Sequence, residues 1–269
     1  MSILTRQFLN ICTKLWQHLP AQPCVLCGTL SRVGGWCAAC DADLPYLPAT
    51  CCPICALPTH DGTTCGQCLQ EKLHFDRTVA VFAYAFPINR LVQALKHKEK
   101  LMLAHCLAEK LAQRITQHPD HLVAMPHHPK RLRSRGFNQS LELARHLGRH
   151  LNIPLLPDAC ERNRDTPPQA ALTRKERNQN VRQAFNCTQN FQGKHVAIID
   201  DVMTSGASLD ELAQSLRKAG AIEISAWVIA RTLPHNASAG YDPGIACRMS
   251  ADPVQKLKND PQQAPEIHL

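Results

Sequence analysis

Aromatic side chains are scarce in this chain: Phe, Trp and Tyr make up 5% of its 269 residues. That scarcity weakens any reading built on an aromatic platform for stacking bases. No apolar run approaches the ~18 residues of a membrane-spanning helix, so no integral membrane segment is expected. Residues Ile3, Leu4, Phe8, Ile11, Leu15 and Leu19 fall at roughly helical spacing, but Arg6, Gln7, Asn10, Lys14 and Gln17 interrupt them. The continuous apolar centre of a signal peptide is therefore missing. Residues 1–20 read as an amphipathic helix packed on the protein itself, with membrane-surface or partner binding as the alternative. Neither G-x-x-x-x-G-K-[ST] nor G-x-G-x-x-G occurs, so the ATPase phosphate loop and the dinucleotide fingerprint are both excluded.

Lys and Arg number 30 against 22 Asp and Glu, a formal charge of +8. This balance favours anionic partners, phosphates or nucleic acid, without choosing between them. With 44% hydrophobic residues the chain can build a core, as one large domain or two small ones.

Cysteine is abundant, at 14 residues. Cys24-x2-Cys27-x9-Cys37-x2-Cys40 repeats 28 residues on as Cys52-x2-Cys55-x9-Cys65-x2-Cys68. Pro and Gly fill the gaps, which permits tight turns but little core, so such a segment needs a staple. Paired thiolates two residues apart form knuckles, and two knuckles complete a tetrahedral zinc site with Zn–S bonds of about 2.3 Å. Eight cysteines allow two structural Zn²⁺ sites, either in sequential quartets or cross-braced. Redox C-x-x-C chemistry is the competitor, but those motifs open a helix beside a βαβ unit and these do not. All-thiolate sites leave no open position for water, so a structural or docking role is expected. With no export signal, the cysteines argue for a reducing, cytoplasmic setting. Cys12, Cys51, Cys106, Cys160, Cys187 and Cys247 have no regular partner and read as ordinary free thiols, although Cys51 could stand in for Cys52.

The first 72 residues therefore divide into the helix and a cysteine-rich module over 21–72. From 73 to 232 the pattern alternates. Strands are predicted at 79–85, 122–125, 195–200 and 222–230, with a further candidate at 153–156. Helices are predicted at 88–95, 101–116, 138–151 and 209–219. Alternation of this kind means an α/β domain with a mainly parallel sheet flanked by helices. Residues 233–269 have no periodic apolar face and read as an irregular tail.

The most informative segment is Val196-Ala-Ile-Ile-Asp-Asp-Val-Met-Thr-Ser-Gly-Ala-Ser208. Four apolar residues read as a buried strand, and Asp200 and Asp201 sit at its C-terminal end. A turn of small residues then enters a helix, where free N–H groups and the positive dipole end favour an anion. On these residues alone the segment could bind a ribose phosphate, hold Mg²⁺ through its carboxylates, or be an ordinary acidic strand end. The turn supplies three hydroxyls, from Thr204, Ser205 and Ser208, and favours the first.

Two basic clusters accompany it. After strand 122–125 come His127, His128, Lys130, Arg131, Arg133 and Arg135, followed by Gly136-Phe-Asn138-Gln139 at a shaped turn into a helix. Ligands in open α/β sheets bind at the C-terminal strand ends, so this loop would share a rim with Asp200 and Asp201. Guanidinium groups suit pyrophosphate. For any single arginine a solvated loop is the alternative, and the histidines rank lower. Residues 164–180, with Arg164, Thr166, Pro167-Pro168, Gln169, Arg174 and Arg177, read as a long mobile loop able to cover a reactive site. Lys96, His97 and Lys98 read as a solvated helix end.

In combination these features resemble the ComF/GntX family, and the 196–208 segment resembles the PRPP-binding signature of type I phosphoribosyltransferases. The residues that carry it are the cysteine repeat, Arg131-x-Arg133-x-Arg135-Gly-Phe-Asn-Gln, Thr166-Pro-Pro-Gln169 with Leu172, Arg177, Asn180 and Ala184-Phe185, and Asp200-Asp201-x-x-Thr204-x-Gly206-x-Ser208. Met203, Ser205 and Ser208 replace the common Val/Ile, Thr and Thr. The resemblance implies a type I phosphoribosyltransferase fold with a five-stranded, mainly parallel sheet and a small hood. It implies that Asp200 and Asp201 meet the ribose hydroxyls as the catalytic carboxylates. Residues Val202, Met203, Thr204, Ser205, Gly206, Ala207 and Ser208 would complete the PRPP-binding segment, Thr204 to Ser208 holding the 5′-phosphate. His127, Lys130, Arg131, Arg133, Arg135, Asn138 and Gln139 would face pyrophosphate, and 164–180 would be the flexible loop. Mg²⁺ would enter on PRPP. A role in natural transformation is implied too, with single-stranded DNA and DNA-uptake proteins as partners on the cytoplasmic side. Transfer to an unidentified nitrogen acceptor in nucleotide metabolism is the alternative.

Overall fold

The computed structural model describes residues 22–31, 35–95, 102–164 and 183–234. The expected N-terminal helix, the run 96–98, residues 166–180 of the long loop and nearly all of the tail lie outside them. The chain divides into two compact units, Met1–Asp43 with Ala246–Leu269 and Leu44–Ile245. The second cysteine quartet lies in the same compact unit as the sheet.

Within the first unit, β1 (Gln22–Pro23) pairs antiparallel with β2 (Leu30–Ser31), and the short helix α1 (Ala38–Ala42) follows. The turn between the strands passes through Gly28 at φ +73°, a left-handed conformation that glycine adopts without a Cβ clash.

The second unit begins with α2 (Gly66–Gln70) and β3 (Arg77–Ala83), and continues through α3 (Ile88–Ala94), α4 (Met102–Ala112), β4 (His121–Ala124), α5 (Pro129–Arg135) and α6 (Gln139–Leu151). An antiparallel ribbon of β5 (Cys160–Arg162) and β6 (Phe185–Cys187) precedes β7 (His195–Met203), α7 (Ala207–Lys218) and β8 (Glu223–Arg231). The sheet runs β3-β8-β7-β4, parallel throughout. Among the described residues this sheet has four strands, where the resemblance implies five. The candidate at 153–156 contributes a single parallel bridge, Leu122↔Leu155.

Both faces of β7 are covered, which explains its unbroken apolar run. Val196 and Ile198 share a core with Leu209, Leu212 and Leu216 of α7, while Ala197 and Ile199 are equally buried. On α6 the inward stripe is Leu143, Ala144 and Leu147, and the helix packs on α4, β4 and β7. Its start is set by Asn138, whose side-chain oxygen accepts from the N–H of Ser140 and Leu141. Its end is set by Asn152, left-handed at φ 55°. The helix α5 inside the basic loop and the β5–β6 ribbon are among the elements that had no sequence expectation.

Candidate functional site

Parallel strands of this length deliver their C-terminal residues to one edge, and β7 brings Asp200 and Asp201 there. The Asp200 carboxylate accepts from the Ser140 hydroxyl at 2.9 Å and from the Asp201 N–H at 2.9 Å. Asp201 in turn accepts from the Val202 N–H at 2.7 Å. Burial, then the charge of Asp201, pushes the Asp200 carboxyl up to about 8 against the opposing pull of Ser140, the Asp201 N–H and Arg162. Both residues are partly exposed, and it is Asp200 whose carboxyl is held in its protonated form by its surroundings.

The loop after β7 turns through Gly206 at φ +83°. This left-handed conformation favours glycine, and a Cβ there would also displace the end of the Met203 side chain, 2.8 Å away at Cε. The Ala207 N–H reaches Ser205 Oγ at 3.4 Å, and α7 begins. Thr204, Ser205 and Ser208 are half-buried, Ala207 buried.

Of the basic cluster, the structure brings some members to the acids and not others. Helical spacing puts Arg131 and Arg135 on one side of α5, both half-buried, while Lys130 and Arg133 are exposed. Burial, then Arg131, lowers the Arg135 pKa, and Asp201 raises it. His127 is held down to about 3 by burial and then by Arg131, Arg135 and Arg162, so it is neutral at physiological pH. Its buried Nδ1 has no hydrogen-bond partner, nor has Nε2 of Gln139, a residue 1% exposed. Such orphaned donors and acceptors mark places where a polar ligand would be satisfied. Asn138 does something else: besides capping α6, its Nδ2 donates to the Met125 carbonyl at 3.0 Å and ties the helix to the end of β4. Arg164 is exposed beyond β5, and Thr166, Gln169, Arg174 and Arg177 lie outside the described residues.

Sequence reasoning missed Arg162, which is 8% exposed, stacks its guanidinium 5.4 Å from the Phe185 ring centre and acts electrostatically on both His127 and Asp200. It also missed Ser140. Arg162 ends a strand only three residues long, too short to give a periodic signal in the sequence.

The cysteines form two sequential quartets, Cys24/Cys27/Cys37/Cys40 and Cys52/Cys55/Cys65/Cys68, each with all four sulfurs within 4.8 Å of one another. Cross-bracing is thereby decided against. Cys27 Sγ lies 3.6 Å from Cys37 Sγ, and Cys55 Sγ 3.6 Å from Cys65 Sγ, close to the ~3.8 Å edge of a tetrahedron with zinc–thiolate bonds. The donor set therefore fits Zn²⁺ in both places. Hydrogen bonds from Thr29 bring the Cys27 thiol down to about 6. Burial pushes Cys52 up, but backbone N–H groups of Cys65, Cys55 and Ile54 outweigh it and bring that thiol down to about 7.

The second quartet is built into the sheet unit. Thr78 of β3 donates its hydroxyl to the Ile54 carbonyl at 2.6 Å and its N–H to Pro53 at 3.0 Å. Arg231, the last residue of β8, reaches the Cys55 carbonyl with Nε at 2.8 Å. Among the described residues, no helix is long and apolar enough to cross a membrane.

Two family models match this chain, a phosphoribosyl transferase domain over residues 93–243 and a double zinc ribbon domain over 15–69. DNA utilization protein YhgH of Escherichia coli K12 is 37% identical over 177 residues, covering 63% of this chain and 78% of that protein. Competence protein F of Haemophilus influenzae is 34% identical over 178 residues, covering 62% and 78%. A solved glutamine phosphoribosylpyrophosphate amidotransferase from B. subtilis is similar at 22% identity and a TM-score of 0.34, over 46% of this chain and 25% of that one.

Proposed function

This chain belongs to the ComF family, a double zinc ribbon followed by a phosphoribosyl transferase domain, and from that premise we propose that it is a competence or DNA-utilization protein whose strand-end site binds PRPP with Mg²⁺ and which binds single-stranded DNA on the cytoplasmic side. The observation that carries the ligand reading is the convergence of Asp200 and Asp201 with Arg135, Arg162 and His127 beside the Gly206 turn. In this reading Asp200 and Asp201 accept from the ribose hydroxyls, and residues 204–208 hold the 5′-phosphate at the start of α7. Arg131 and Arg135 take the pyrophosphate oxygens. Mg²⁺ neutralises charge on the pyrophosphate, and among the described residues no third carboxylate joins Asp200 and Asp201 in a metal cluster. DNA binding draws support from the net charge of +8 and from the similarity to a DNA utilization protein and to Competence protein F.

A second reading, full phosphoribosyl transfer, is favoured by the adjacent acid pair Asp200 and Asp201 beside Arg135 and Arg162. A nitrogen acceptor would form a bond to the anomeric carbon and lose its proton, while the bond to pyrophosphate breaks and the arginines stabilise the leaving charge. A crystal of the full chain grown with Mg–PRPP tests the site: ribose at Asp200 and Asp201 supports the proposal, and ligand elsewhere overturns it. Pyrophosphate release across a panel of bases and nucleosides decides whether transfer occurs. Single-strand binding that weakens with salt and is lost in Arg131→Ala with Arg135→Ala supports the DNA reading; unchanged binding in that variant contradicts a role for these arginines in it.

A further inference from the structure

Arg231 is 5% exposed, and its guanidinium spans two parts of the molecule that the sequence keeps far apart. Nε donates to the carbonyl of Cys55, in the second cysteine quartet. Nη1 donates to the carbonyls of Met203 and Thr232, both at 3.0 Å, and to that of Thr204. Thr78 makes a parallel link, with its hydroxyl on the Ile54 carbonyl and 3.9 Å from Met203 Sδ. Met203 in turn packs where a Gly206 side chain would stand. Arg231 donates to four carbonyls and also meets the Cys55 side chain, and the charges of Cys55, Cys68 and Cys65 favour its cationic form; a buried cation is costly without such a counter-charge. Four thiolates around Zn²⁺ carry a net negative charge and supply one.

We propose that Arg231 is a positioning residue that makes the shape of the 203–208 loop depend on the second zinc centre. Zinc holds the Cys52–Cys55 knuckle, the knuckle and its charge hold Arg231, and Arg231 holds the Met203 and Thr204 carbonyls from which the loop departs. The first quartet, in the other compact unit, has no such connection in this scheme. The consequence for PRPP rests on the ligand reading above, but the loop's dependence on zinc does not.

Hydrogen–deuterium exchange of the unliganded full chain separates the two. In Arg231→Gln with both zinc ions retained, exchange across 203–208 should rise about tenfold, the scale of losing a buried charged hydrogen bond or two. The rest of β7 should stay protected. Cys65→Ser with Cys68→Ser should raise exchange at the same residues, and Cys37→Ser with Cys40→Ser should not. Arg231→Lys, which keeps the charge but not the fork, should fall between wild type and Arg231→Gln, and it remains readable if Arg231→Gln does not fold. Unchanged exchange at 203–208 in the Arg231 variants, or an equal rise when only the first quartet is altered, overturns the proposal. A calorimetric titration with Mg–PRPP then reads the same coupling as affinity. If wild type binds no PRPP while the exchange pattern holds, the ligand reading fails and the coupling stands.

A separate observation carries a second inference. Cys160 faces Cys187 across the β5–β6 ribbon, with the sulfurs 3.0 Å apart. Thr188 N–H bonds to Ala159 and Asn163 N–H to Ala184, so the cysteines occupy a non-hydrogen-bonded pair, where Cα atoms stand about 4.5 Å apart, within disulfide range. We infer that these two thiols form a reversible disulfide that pins the ribbon carrying Arg162. With a low-molecular-weight disulfide as oxidant, the Cys187 thiolate attacks it to give a mixed disulfide and one released thiol. Cys160 then displaces the second thiol, so two protein thiols are oxidised and one disulfide is reduced. Treating zinc-loaded protein with oxidised glutathione should remove two hydrogens per chain, link the 160 and 187 peptides and release no zinc, and Cys160→Ala should instead retain glutathione on Cys187. Persistent adducts in wild type, or cross-links confined to the zinc quartets, overturn the assignment.

Discussion

The hydroxyl of Ser140 donates to the carboxylate of Asp200 at 2.9 Å, joining the first turn of α6 to the end of β7. One hydrogen bond thereby fixes the basic segment that precedes α6 against the acid pair. Ser140→Ala should leave the part-buried Asp200 carboxyl with one acceptor position unmet, a cost of about 1–3 kcal/mol in stability. The Asp200 carboxyl should also move further up, because Ser140 is one of the groups holding it down. Chemical denaturation and a carboxylate titration followed by NMR check the two effects.

Asp200 itself works against the fold as pH rises. Its folded-state pKa, raised to about 8, exceeds the unfolded value, so the native state binds the proton more tightly and stability falls with increasing pH between the two values. Asp200→Asn keeps the shape without the titration. The variant should match wild type near pH 4 and gain on it steadily toward pH 8, by ~2 kcal/mol or more given about 1.4 kcal/mol per pKa unit. Melting curves across that range read the gain, and a gain independent of pH would contradict the protonated carboxyl.

Gly206→Ala should be unfavourable chiefly through its backbone, with a smaller cost from shifting the end of Met203. The backbone is left-handed at φ +83°, and the new methyl would meet Met203 Cε at 2.8 Å. A loss of about 1–3 kcal/mol is expected. Adding Met203→Ala should relieve the contact but not the conformation, so it recovers only part of the loss when unfolding is measured for both variants.

Metal content follows from the quartets. Mass spectrometry under native conditions should find two zinc ions per chain, and Cys55→Ser should leave one. Because Cys52 and Cys55 are buried in the sheet unit's own core, with Phe75 and Met203, losing the second ion should lower the melting temperature by more than Cys27→Ser does at the exposed first-site cysteine. Equal effects at the two quartets would contradict that placement.

The long apolar runs and helical stripes were legible because they report burial directly: β7, β8, α6 and α7 all lie within a few residues of their expected bounds. The cysteine spacing likewise exposed both quartets. It could not show that the second belongs with the sheet, since identical spacing says nothing about what each knuckle packs on. Short elements hid the rest. Arg162 lies in a three-residue strand whose partner is Phe185, a pairing with no local signal. Ser140 reads as an ordinary first-turn polar residue until β7 is placed beside it. Cys160 and Cys187 gain meaning only from the register of their ribbon, and Arg231 looks like a strand's solvated end until its four carbonyl partners are in view.

The central claim is that the acids closing β7 hold the ribose of PRPP, and calorimetric titration of the zinc-loaded full chain with Mg–PRPP tests it most directly. Wild type should bind at one site per chain, and Asp200→Ala with Asp201→Ala should weaken that binding at least ~10-fold while the fold and both zinc ions persist, the scale of losing charged hydrogen bonds. Binding of equal strength in the double variant, or none in wild type, would contradict it.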